Sequence, residues 1–366
     1  MLDNRATLAR LLDDDSIAMR QGGTLDTPVS PLPASVRFDA CAGMLLGVAI
    51  GDALGRPSEG MLPDRRRRSH GEVTDYHRHR RAGGGPAEGH PSDDTQLTFW
   101  TLDQLLTDGG LNPARLSDRF IASGKTIGEG QSVRAFRGNH QKHWSERGVG
   151  SAGNGALMRI APILLPHLAS PSPALWADAA IAGMLTHNDS ASNAACVAFV
   201  KMLWSLLARD TPPPSGWWVE TFCAAAAPLE LADYAPRGGD FRSFCGPLSQ
   251  WLTVRLADVH TDRRSTRDLC NTWHSGAYLL ETLACVLAIL ERHAADPEQA
   301  IIRAVNDTKD NDTVAAVVGA AVGALHGRDA LPSRWVTGLT GGLTQKGRGT
   351  VFTLIDRAEI TFWRAP

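Results

Sequence analysis

The run "AGMLLGVAIGDALG", residues 42–55, places glycine at 43, 47, 51 and 55 within an otherwise apolar stretch. A four-residue repeat nearly matches one helical turn, so these glycines share one face of a helix. Each interior glycine costs about 1 kcal/mol of helix propensity. The stripe therefore implies a second backbone packed directly on that face, where a side chain would not fit. Membrane helices use the same small-xxx-small spacing. This run is short for a span and reaches Asp52, so a buried helix of a soluble protein is expected.

Helical spacing of apolar residues continues through 95–107, 114–123, 155–165, 173–186, 190–208, 217–226, 276–292, 297–306 and 313–326, and alternating strand patterns are scarce. An all-α fold follows. The Pro-rich "DTPPPSGWW" and the polar stretch 237–275 interrupt the pattern without separating independent domains, so one compact multi-helix domain over 37–366 is expected. No fixed-period repeat is present. Residues 1–36 read as an N-terminal extension outside the core: a short amphipathic stretch (Leu2, Leu8, Leu11, Leu12), then the linker-like "GGTLDTPVSPLPAS". Residues 61–91, rich in Arg, His and Gly, read as a long surface loop whose basic side chains are solvated or face phosphate or an acidic partner.

A net charge of -2 gives no reason to expect nucleic acid as a partner. The cysteines, Cys41, Cys196, Cys223, Cys245, Cys270 and Cys285, have neither zinc-site nor disulfide-framework spacing and read as buried thiols. Without a signal-like segment or a long membrane span, the expected location is the cytoplasm.

Chemistry concentrates in "PSDDTQLTFW" (91–100) and "KDNDTVAAVVGAAVGALHG" (309–327), each with acids and hydroxyls ahead of an apolar helix. Helix capping accounts for one acid per segment. Brought together, Ser92, Asp93, Asp94, Asp310, Asp312 and Thr313 form a hard-oxygen set suited to Mg²⁺ or Mn²⁺. Four clustered carboxylates repel, and two divalent cations would neutralise them. Asp52 and Glu59 form a third acidic stretch. Asp52 reads equally well as a local cap.

In order along the chain, "GMLLGVAIGDALGRPSEG", "SDDT", "GNGALMRIAP" (153–162), "THND" (186–189) and "KDNDTVAAVVGAAVGALHG" resemble the ADP-ribosylglycohydrolase family, which includes the dinitrogenase reductase-activating glycohydrolases; the likeness spans about residues 37–345. It implies a pair of Mg²⁺ or Mn²⁺ ions on Ser92, Asp93, Asp94, Asp310, Asp312 and Thr313, with Ser92 standing where the family usually has Thr. Glu59 would lie beside the metals. Gly153, Asn154, Gly155 and His187 would contact substrate, with Arg159 a structural ion-pair partner and Trp273 one possible adenine stacker. The implied reaction is hydrolysis of ADP-ribose from a protein side chain, with arginine preferred over serine or O-acetyl-ADP-ribose. A metal-associated water, oriented by Glu59, Asp93 or Asp94, would attack the anomeric carbon. Some proteins resembling this chain protect bacteria from ADP-ribosyltransferase toxins. Residues 1–36 are the feature that would serve an immunity protein acting by occlusion.

Overall fold

The structure is a computed structural model that describes residues 3–77, 87–344 and 347–364. Its first half runs α1 (Asn4–Asp13), α2 (Phe38–Gly55), α3 (Pro63–His70), α4 (Asp93–Asp108), α5 (Pro113–Ala122), α6 (Gln131–Gly138), α7 (Ala174–Met184) and α8 (Ser190–Leu207). The second runs α9 (Trp217–Ala226), α10 (Leu248–Leu256), α11 (Thr266–Thr272), α12 (Leu279–His293), α13 (Pro297–Asp307), α14 (Asn311–His326), α15 (Ser333–Gly338) and α16 (Thr350–Ala358). Short 3₁₀ and π segments link them, and the β structure among the described residues is confined to isolated bridges, so the all-α expectation holds. Local chemistry sets many helix starts. Side chains of Asp3, Asn112, Asp189, Ser265 and Asp296 accept from first-turn amides of α1, α5, α8, α11 and α13.

The stretch 155–165 differs from the sequence reading. It forms two 3₁₀ segments, Leu157–Arg159 and Ala161–His167, because Pro162 and Pro166 lack the amide hydrogens that an α-helix would use there.

The glycine stripe of α2 meets the backbone of α14. A Cβ on Gly47 would sit 2.0 Å from the Gly319 carbonyl oxygen, and one on Gly319 would sit 2.2 Å from that of Gly47. Gly43 faces Gly323 in the same way, Gly51 faces Ala315, and Gly55 lies against the Asp312 backbone. The stripe thus sets the end of α2 beside the start of α14, where the two acidic segments lie.

α2 and α8 do have the length and hydropathy of membrane spans, contrary to the sequence reading. In each, 89% of the apolar window is buried inside the fold, so that surface is already taken by protein neighbours.

Residues 4–30 correct the expectation of an extension outside the core. Leu8, Leu11, Ile17, Met19, Leu25 and Val29 belong to the same buried cluster as the main body. Asn4 Nδ2 donates to Asp178 on α7 at 2.6 Å, and the indoles of Trp176 and Trp204 donate to the carbonyls of Thr27 and Ser30. An arm held by these bonds is not free to enter a partner's cleft.

The supposed long loop 61–91 also differs, because "PDRRRRSH" folds as α3 with Arg66 fully buried. The remainder of that basic segment includes residues 78–86, which lie outside the described residues. Cys41, Cys196, Cys223, Cys270 and Cys285 are buried free thiols, whereas Cys245 is exposed.

Candidate active site

Asp52 organises the site from the last turn of α2. Its Oδ2 accepts from the Ser92 amide (2.7 Å), the Thr95 amide (3.1 Å) and the Thr95 hydroxyl (2.6 Å), while its Oδ1 accepts from the Ser92 hydroxyl (2.7 Å). Ser92 makes no capping bond of its own, so a carboxylate from another helix caps α4. Asp52 thus caps a different helix rather than its own, while its carboxylate also lies beside those of Asp94 and Asp312. Capping by Asp52 fixes Asp93 and Asp94 on the first turn of α4, facing α14.

Carboxylate oxygens of Asp52, Asp94 and Asp312 lie within 4.8 Å of one another, and so do those of Glu59, Asp310 and Asp312. Asp312 belongs to both groups. The structure therefore brings together Glu59, Asp93, Asp94, Asp310, Asp312 and Thr313, which line one pocket of about 360 Å³. Ser92 lies behind them with its hydroxyl hydrogen given to Asp52, which leaves its oxygen lone pairs for a ligand.

The electrostatics are those of a site built for cations. Burial, then Asp52 and Glu59, pushes the Asp93 carboxyl up to about 8, and burial pushes Asp310 up to about 6. Asp94 and Asp312 are raised well above the ordinary range, first by burial and then by neighbouring acids. Glu59 is raised too, first by burial and then by Asp52. Asp94 Oδ1 is buried without a hydrogen-bond partner. Hard oxygen donors, mutual repulsion and an orphaned carboxylate oxygen together fit a site for divalent cations.

The opposite wall is built by residues 151–155 and His187. A Cβ on Gly155 would lie 2.8 Å from His187 Cε1, so this glycine makes room for the imidazole. Asn154 is turned inward. Its Nδ2 donates to Asp310 Oδ2 (2.6 Å) and Thr282 Oγ1 (3.0 Å), and its amide donates to Ala277 O, so it orients an acid while lining the pocket.

Arg159, expected in an ion pair, forms none among the described residues. Its Nη2 donates to Ala182 O and Thr186 Oγ1, and its guanidinium lies 4.9 Å from the centre of the Phe120 ring. Thr186 Oγ1 also contacts His187 Nδ1 at 2.9 Å. This contact holds the imidazole with Nε2 beside Gly153 and Gly155. Burial and the Arg159 charge lower the His187 pKa to about 3. His187 is thus neutral at physiological pH.

Trp273 is 2% exposed and packs in the core, so the pocket's aromatic is Tyr278, with Arg237 stacked 4.2 Å from its ring centre. Sequence reasoning missed Tyr278, Arg237, Glu281, His274 and the stretch from Gly128 into the first turn of α6 at Ser132. The "GEGQS" glycines and the strained pair His274 (φ 73°) and Ser275 (φ 46°) mark these segments, but only the glycines are a signal visible in sequence.

The profile of the ADP-ribosylglycohydrolase family matches residues 33–364. The chain is 27% identical over 339 residues to the ADP-ribosyl-(dinitrogen reductase) glycohydrolase of Rhodospirillum rubrum, covering 88% of this chain and 97% of that one. It is 26% identical over 320 residues to the ADP-ribosylarginine hydrolase Tri1 of Pseudomonas putida (strain GB-1), covering 82% and 74%. A solved chain described as an "ADP-ribosylglycohydrolase-related protein complex" superposes with a TM-score of 0.62 at 25% identity, covering 89% of this chain and 98% of that one.

Proposed function

The chain belongs to the ADP-ribosylglycohydrolase family and is an ADP-ribosyl hydrolase, and from that premise we propose that it removes mono-ADP-ribose from modified arginine side chains with the help of two divalent cations. The observation that carries the proposal is the pair of carboxylate groups sharing Asp312 on the pocket floor. Asp94 and Asp312 would hold one cation, and Asp310, Asp312 and Glu59 the other, with Ser92, Asp93 and Thr313 completing the oxygen set. Asp52 has both oxygens engaged by α4 and serves as their mount. When bound, Mg²⁺ or Mn²⁺ supplies charge neutralisation and Lewis-acid polarisation of substrate oxygens.

The protein's own groups do the rest. His187 Nε2 would hydrogen-bond a ribose or phosphate oxygen without bringing a charge. Asn154 holds Asp310 in place. Glu59, exposed at the pocket mouth, would orient the attacking water and take its proton on a carboxylate oxygen as the anomeric C–O bond forms and the C–N bond to the arginine side chain breaks, the released guanidine then taking up that proton as guanidinium; Asp93 is the alternative base. Arginine as acceptor is supported by the activity for which the Pseudomonas relative is named. A cytoplasmic location accords with six unpaired cysteines.

The direct test incubates the protein with arginine- and serine-ADP-ribosylated proteins, with and without chelator. Chelator-sensitive release of ADP-ribose from arginine is expected. Release from serine alone would overturn the acceptor assignment, and undiminished release after metal removal would overturn the role of the cations.

A further inference from the structure

Among the four consecutive arginines of α3, Arg66 alone is fully buried, and every one of its five N–H groups has an acceptor. Nε donates to Ser58 Oγ (2.8 Å), and Nη2 donates to the carbonyls of Ser58 (3.2 Å) and Met61 (2.9 Å). Nη1 donates to the carbonyls of Thr308 (2.7 Å) and Asn306 (3.3 Å). One planar guanidinium thus ties the two segments that matter most for Glu59: its own loop, 58–61, and the stretch of backbone leading into Asp310 and Asp312. The Gly60 amide, donating to Lys309 O at 3.0 Å, and Asn311 Nδ2, donating to Gly55 O and Ser58 Oγ, run between the same segments.

Such a clamp has no obvious purpose if Glu59 is an incidental surface carboxylate. Glu59 sits on an exposed loop beside Gly60, whose φ of +70° and open surroundings leave that turn little packing of its own. A carboxylate there would wander relative to α14 unless something buried held its backbone. We infer that Arg66 is the positioning residue that fixes Glu59 against Asp310 and Asp312. The inference rests on Glu59 belonging to the reaction site, as proposed above. Lysine cannot replace it, because an ammonium offers three donors without the planar fork that reaches both segments.

The test compares wild type, Arg66→Ala and Arg66→Lys, each checked for folding by circular dichroism, using amide hydrogen exchange together with steady-state hydrolysis of arginine-ADP-ribosylated protein. In Arg66→Ala the amides of residues 59–61 should exchange at least about tenfold faster while core amides of α8 are unchanged. kcat should fall about tenfold to a hundredfold, the size expected of misplaced catalytic groups, and KM should stay within about threefold. Millimolar guanidinium ion should slow the exchange and recover kcat in Arg66→Ala, but not in Arg66→Lys, whose side chain still occupies the cavity. Unchanged exchange at 59–61 in a folded variant, or equal effects on KM and kcat, overturns the inference. If Arg66→Ala does not fold, Arg66→Lys and Ser58→Ala carry the same comparison. A wild-type protein inactive on every ADP-ribosylated substrate would refute the functional reading, and the exchange experiment would still decide whether the clamp exists.

Discussion

Substituting Gly47 by alanine tests whether the glycine stripe, rather than the acids themselves, sets the spacing of the site. The new Cβ would lie 2.0 Å from the Gly319 oxygen, and ordinary contact begins at 3.4 Å, so α2 and α14 must part by about 1.4 Å. Overpacking of this kind costs about 1–3 kcal/mol, and more where the obstacle is backbone that cannot rotate away. Alanine returns about 1 kcal/mol of helix propensity. The net loss is up to about 2 kcal/mol, and more to the extent that the backbone cannot give way, which corresponds to a melting temperature lower by up to about 3 °C for a chain of this length. The second effect is at the site. Asp52 ends α2 and Asp312 begins α14, so a gap of this size exceeds the few tenths of an ångström that metal coordination tolerates. Mn²⁺ affinity, measured by calorimetry, should therefore fall at least about tenfold although no ligand has been touched. Gly138→Ala is the control, since a methyl group at that position of α6 would find nothing within 4 Å. If Gly47→Ala melts and binds Mn²⁺ like Gly138→Ala, the close approach of the two helices does not govern the site.

Other outcomes follow from the same geometry. Asp310→Asn with Asp312→Asn should abolish hydrolysis and Mn²⁺ binding, yet in chelator it should melt higher than wild type by about 1–3 kcal/mol, because two mutually repelling acids are gone; a lower melting temperature in chelator contradicts the repulsion argument. Asp93 and Asp310 have folded-state pKa values raised from 3.8 to about 8 and about 6, so between those values the folded state holds more protons than the unfolded chain. Their contribution to stability is therefore lost as pH rises through that window, and thermal melts in chelator should fall from pH 5 to pH 8 while melts in Mn²⁺ do not. Glu59→Gln should lower kcat more than it weakens ADP-ribose binding, measured by calorimetry; equal losses would make Glu59 a substrate ligand. Deleting residues 1–30 should cost several kcal/mol, since it uncovers the apolar surface now buried by Leu8, Leu11, Ile17 and Leu25, and an unchanged melting curve would show that this packing is idle.

What is legible in the sequence is chemistry that repeats or clusters locally. The stripe at 43, 47, 51 and 55 announces a close backbone neighbour, and the acids at 93, 94, 310 and 312 announce each other. Neither names the link between them, Asp52, because its carboxylate and the donors that hold it lie 40 residues apart in the chain. Arg66 is one of four identical neighbours, and nothing local distinguishes the buried one. The N-terminal segment reads as an extension for the same reason: its anchors, such as Asn4 to Asp178 and Thr27 to Trp176, are long-range bonds. α10 and α11 leave no trace because nine and seven residues are too few for a period to emerge.

The pairing of α2 with α14 also dictates the order of events during synthesis. Asn311 bonds back to Gly55 across 256 residues, so at ribosomal rates roughly 13–50 s pass between the two helices being made. Through that interval a long apolar helix of the nascent chain has its glycine face bare, with no partner yet in existence. The chain is then a candidate for chaperone capture, and a truncated product ending before α14 would aggregate rather than fold. The cation site, completed by the last of its acids at Asp312, cannot help until almost the whole chain has been made.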